Sequence, residues 1–81
     1  MQRIEIGRSL VVDPEVCHGK MTFRGTRVTV RTVLASLRAG DSVDDILRKW
    51  PELHREAVEE AIALAAEALL KPYQPPAREA A

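Results

Sequence analysis

The chain of 81 residues predicts a mainly α fold: a three-helix bundle with helix-turn-helix connectivity behind a short N-terminal β/loop arm. Three observations predict it. From Val30 onward, apolar residues recur at the i, i+3, i+4, i+7 spacing of a helix face. Residues that start or stop helices bracket those stripes, with Thr29, Gly40, Ser42 and Pro51 in the places the periodicity requires. Before Val30 there are only short β-prone pieces separated by turn signals. The expected organisation is one domain over residues 1–71, with the arm at 1–29 and the trihelical unit at 30–70, followed by a proline-rich tail at 72–81.

The arm opens with Ile4-Glu5-Ile6 and Leu10-Val11-Val12, with Gly7, Arg8 and Ser9 between them as a turn. Asp13-Pro14 marks another turn. His18-Gly19-Lys20 begins a loop that returns through Thr22-Phe23-Arg24, and Gly25-Thr26 bends the chain before the β-branched Val28-Thr29-Val30.

Val30, Val33, Leu34 and Leu37 form the first helical stripe. Thr29 is its expected cap and Gly40 its C-terminal stop. Arg31 and Arg38, seven apart, share a different, solvated face. Ser42-Val43-Asp44-Asp45 reads as a capping box, because serine accepts from a free backbone N–H and acids suit a helix start. Val43, Ile46, Leu47 and Trp50 are the second stripe, and Trp50 is expected to plug the core. Pro51 ends that helix, since the residue before proline is pushed out of the α region. A turn over Pro51 to His54 leads to a third helix from Arg55 to Leu70. Its apolar residues exceed one stripe, so Val58, Ile62 and Leu69 are candidate contacts in an oligomer, a homodimer above all. The prolines of the tail favour extended chain.

A chain this short buries a modest core, and association adds to it. Cys17 is the only cysteine, so no disulfide framework exists and a reducing cytoplasm is the expected setting. No apolar run approaches membrane-spanning length, so no membrane partner is expected. The net charge of zero hides an asymmetry: residues 1–40 hold seven Lys/Arg against three acids, or +4, and residues 41–81 hold five against nine, or −4. An anionic partner or pairing between halves or subunits would each account for it.

Little points to catalysis. Cys17-His18 could be a thiolate–imidazole pair or half a metal site, but adjacent residues in extended chain point apart and zinc needs further ligands. No catalytic residue, metal site or cofactor is expected. The cations are more informative. Lys20, Arg24, Arg27, Arg31 and Arg38 are uninterrupted by any acid between Glu15 and Asp41. They read as a solvated surface, as a forked phosphate or carboxylate contact beside the hinge Gly25, or as a loop lock pairing with Glu15 or Asp13. Against DNA contact by the third helix stand Glu56, Glu59 and Glu60, which the phosphate field repels, so DNA-binding candidates are the five cations. In the tail, Tyr73 offers an anchoring ring with a polar tip.

The stretch from Leu10 to Glu67 resembles domain-of-unknown-function family 433. The matching elements are Asp13-Pro14-Glu15, Gly19-Lys20, Arg24-Gly25-Thr26-Arg27-Val28, Ala39-Gly40 and the Ser42-x-x-Asp45-Ile46-Leu47 block before Pro51. Met21 departs from the proline common in the family, and His54 stands where a Ser, Thr or Asp cap is usual. The resemblance implies a homeodomain-like helix-turn-helix fold. It also implies a non-enzymatic antitoxin of the VapB kind that neutralises a PIN-like nuclease toxin and helps repress its own operon by binding operator DNA. On that reading Tyr73 and Arg78 of the tail meet the toxin, Arg78 reaching its acidic active site. The reading from a different class is a protein-interaction or scaffold module without DNA affinity.

Overall fold

Side chains alternate across a strand, so the chain from Ile4 to Phe23 has one face to bury and one to expose. In the computed structural model, which describes residues 2–71, this region forms a sheet. Strands β1 (Ile4–Ile6), β2 (Leu10–Val12) and β3 (Met21–Phe23) pair antiparallel in the order β1-β2-β3. The register sets Ile6 opposite Leu10 and Leu10 opposite Phe23. Leu10 and Phe23 point into the helices and are among the largest fully buried side chains. Thr22, on the other face opposite Val11, is also buried, and its hydroxyl has no hydrogen-bond partner.

The helices follow as α1 (Val30–Arg38), α2 (Val43–Lys49) and α3 (Arg55–Leu70). The Thr29 hydroxyl accepts from the Thr32 N–H and starts α1. Gly40, at φ 106°, ends it in a conformation that costs glycine little. Ser42 and Asp45 exchange side-chain-to-backbone hydrogen bonds in a complete capping box, which starts α2. His54 precedes α3 with no side-chain cap. Side-chain pairs then fasten the helices together. Lys49 bridges Asp41 and Ser36 across the α1–α2 junction, and Arg55 at the head of α3 pairs with Asp44 in α2. Lys49 holds the Asp41 carboxyl below the usual carboxylate range, with the Ser36 hydroxyl adding to the effect.

One core joins the two layers: Leu10 and Phe23 from the sheet meet Val33, Ile46 and Val58 from the three helices. This corrects the expected fold class. The molecule is α+β, a three-stranded antiparallel sheet packed on three helices, and not a mainly α bundle with a β/loop arm. The arm expectation fails because Leu10 and Phe23 are structural centres of the core, which only their pairing across the sheet makes possible. Trp50 is likewise not the core plug. It lies half-buried at the edge, with the Lys49 ammonium 5.7 Å from its ring centroid, and Phe23 fills the central position.

Candidate functional site

The stretch from Asp13 to Val28 carries most of the polar side chains singled out by the sequence, and local geometry explains their arrangement. Asp13 Oδ1 accepts from the Glu15 N–H at 2.9 Å, closing the first turn. Cys17, His18 and Gly19 then run through three successive positive φ angles of 50°, 57° and 81°. This left-handed turn strains two residues that carry a Cβ. The Cys17 thiol donates to the Arg27 carbonyl at 3.3 Å and ties this turn to the next loop. In that loop the Thr26 hydroxyl donates to the Phe23 carbonyl and accepts from the Val28 N–H. Arg24 pairs with Glu5 of β1. The loop lock foreseen for an arginine therefore exists, but its acid is Glu5 and not Glu15 or Asp13. The register puts Glu5, Val11 and Thr22 on one sheet face, and Arg24, two residues after Thr22, emerges on that same face.

The five candidate cations are all exposed, but they do not form one patch. Arg24 borders a cleft with Arg8, Glu56 and Ala57, at the start of α3. Arg27 borders another with Arg3, Asp13 and Thr22. Arg31 and Arg38 flank an apolar strip made by Met21 of β3 with Leu34 and Ala35 of α1. Among the described residues, Lys20, Arg27, Arg31 and Arg38 make no ion pair. No group of three or more His, Cys, Asp or Glu is placed to hold a metal among the described residues, and no helix among them is long and apolar enough to cross a membrane.

The oligomer candidates separate as well. Val58 is fully buried within its own chain, so it has no surface to offer a partner. Ile62 is half-buried against the core, and Leu69 is 63% exposed. Tyr73 and Arg78 lie outside the described residues, as does the rest of the 72–81 tail.

Sequence reasoning missed the role of Glu60. It read this acid as one of three on the third helix that the phosphate field of DNA repels. In the structure its carboxylate accepts from the Arg8 N–H at 2.9 Å and from the Ser9 N–H at 2.8 Å, clamping the β1–β2 turn to α3. The Arg8 N–H, joined by that of Ser9, holds the Glu60 carboxyl below its ordinary range. A Cβ on Gly7 would stand 2.6 Å from this carboxylate, and Gly7 has φ 61°. A glycine in a two-strand turn was the signal available. Which acid would meet that turn was not in the local sequence.

Beyond Arg31 and Arg38 lies an open apolar groove of ≈ 430 Å³ between the sheet, α1 and α3. Ile6, Met21 and Leu34 form its floor, and Leu64, Glu67 and Ala68 of α3 its wall.

Comparison with known proteins places this arrangement. A 45-residue stretch is 44% identical to the uncharacterized protein y4eO of Sinorhizobium fredii (strain NBRC 101917 / NGR234), over 56% of this chain and 20% of that one. The fold is similar to the X-ray crystal structure of Rv2018 from Mycobacterium tuberculosis, with a TM-score of 0.58 and 28% identity, over 65% of this chain and 24% of that one. The chain thus spans about a fifth of the first protein and about a quarter of the second. The sequence pattern of the family described as "Protein of unknown function (DUF433)" matches residues 10–65, which take in β2, β3, the locked loop, α1, α2 and most of α3. The signature residues that build the loop and cap the helices are the ones this match covers, and the chain belongs to the DUF433 family.

Proposed function

We propose that this domain is a non-enzymatic recognition module, the antitoxin partner of a PIN-like nuclease toxin, which also contacts operator DNA to regulate its own operon. The observation that carries the reading is how the signature side chains are used. Thr26, Arg24 and Asp13 are engaged in holding backbone and strands together, with the neighbouring Cys17 thiol tied to the Arg27 carbonyl. The described surface then still offers exposed arginines and apolar area, residue types that meet macromolecules. The resemblance to VapB-like antitoxins supplies the identity of the partner, and the 72–81 tail with Tyr73 and Arg78 is the segment proposed to reach it.

The test is co-expression with the nuclease encoded beside it. The full chain restores growth and co-purifies with the nuclease. A chain ending at Lys71 keeps its circular dichroism spectrum and loses most of the neutralisation. A full chain that neither binds nor neutralises the nuclease overturns the reading.

The separation of the cations favours a second reading, an interaction module without DNA affinity. A DNA-binding surface concentrates positive charge along one face, whereas these arginines border three different clefts. A mobility-shift titration at low salt, with and without the nuclease, decides between the two.

A further inference from the structure

We infer that the groove beside α3 and the adjoining arginine strip of α1 are the seat of a second copy of this chain, joined through an isologous two-fold contact. The inference is independent of the antitoxin reading. Two sides of one groove carry it, opposite in the charge at their rims. The first is the groove floor, where Met21 and Leu34 lie open and Arg31 and Arg38 stand beside them. The second is the α3 side of the same groove, where Glu67 lines it, with the outward helix face that Glu67 borders. At 100° per residue, Glu56, Ala63, Glu67 and Leu70 fall on one side of that helix, and all four are exposed. Leu70 is 64% exposed.

The α1 side of the groove is therefore apolar with cations at its rim, and the α3 side is apolar with the Glu67 carboxylate at its rim. They do not satisfy each other within one chain: among the described residues no ion pair joins α1 to α3. A two-fold axis brings each against the other twice, which is the condition for a closed isologous dimer. In that contact the α3 of one copy lies in the groove of the other, with Leu70 over Met21 and Leu34, and Glu67 beside Arg31 and Arg38. The wall residue Ala68 is small enough to let a second helix backbone approach closely, as short interhelical distances require. The same contact pairs the cationic first half of one chain with the acidic second half of the other, which gives the charge asymmetry a role.

The experiment is sedimentation equilibrium of the full chain across the micromolar range, with circular dichroism on every variant. The expected mass is twice the 9.0 kDa of the chain. Leu70→Glu with Ala68→Glu changes exposed positions only, so the fold persists while dimer affinity falls by about 100-fold or more. Arg31→Glu with Arg38→Glu also dissociates the dimer, and adding Glu67→Arg restores association. That rescue is specific to reciprocal pairing and would not follow from a general loss of stability. Truncation after Lys71 leaves the dimer intact. A wild-type chain that remains monomeric throughout overturns the inference. So does a dimer untouched by the Ala68 and Leu70 changes, or a monomer that dimerises only when residues 72–81 are removed, which would make the tail the occupant of the groove.

Discussion

Thr22 and Glu60 show opposite outcomes for a polar side chain in a small protein. The Thr22 hydroxyl is buried without a partner, and an unpartnered buried hydroxyl costs about 1–3 kcal/mol. Valine has nearly the same shape and no polar atom. Thr22→Val should therefore raise stability by about 1 kcal/mol, seen as a higher urea midpoint with an unchanged slope; a lowered midpoint would mean that the hydroxyl has a partner. Glu60 is the satisfied case, with two backbone donors. Its carboxyl titrates below the ordinary range in the folded chain, so its contribution is fully present above the ordinary glutamate value and is lost as pH falls through the depressed folded value. Glu60→Gln should be less stable than wild type near neutral pH, and thermal melts of the two should converge in acid. A gap of constant size at every pH would show that the carboxylate charge plays no part.

At the scale of elements, the helices are set by their ends and their buried faces. The capping box of α2 satisfies free N–H groups at both ends of a reciprocal pair. Ser42→Ala should cost about 1 kcal/mol, the usual loss for an N-cap hydroxyl, measured by chemical denaturation. The two faces of α3 respond differently to charge. Val58→Asp places a carboxylate in the core that Val58 shares with Ile46 and Phe23, and it should abolish the cooperative melt. Leu69→Asp, at an exposed site, should stay within about 0.5 kcal/mol of the wild-type fold. A folded Val58→Asp chain would contradict the placement of α3 on the core.

For the molecule as a whole, the distribution of charge matters more than its zero sum. Arg24 is engaged with Glu5, whereas Arg27 has no ion-pair partner among the described residues. If the DNA part of the proposed function holds, Arg27→Ala should lower the slope of log affinity against log salt by about one for each phosphate that Arg27 neutralises. Arg24→Ala should leave that slope unchanged and instead loosen the sheet. Filter binding across a salt series measures both. Equal slopes for Arg27→Ala and wild type would remove Arg27 from any DNA interface.

The sequence by itself determined the three helices and their ends. Helix hydrogen bonds connect residues four apart, so an apolar stripe, a cap such as Ser42 and a stop such as Pro51 carry the information locally. It also located the loop of polar signature residues and the family they resemble. Only the tertiary structure decided that the first 29 residues build a sheet, because strands of three residues carry little signal until Leu10 meets Phe23 across the ladder. The same holds for Glu60, whose two donors lie 52 and 51 residues away, and for Arg24, whose partner was decided by strand register. The single cationic patch was a property of the linear chain. Folding turned its members toward different clefts, since sheet faces and helix faces send neighbouring residues in different directions.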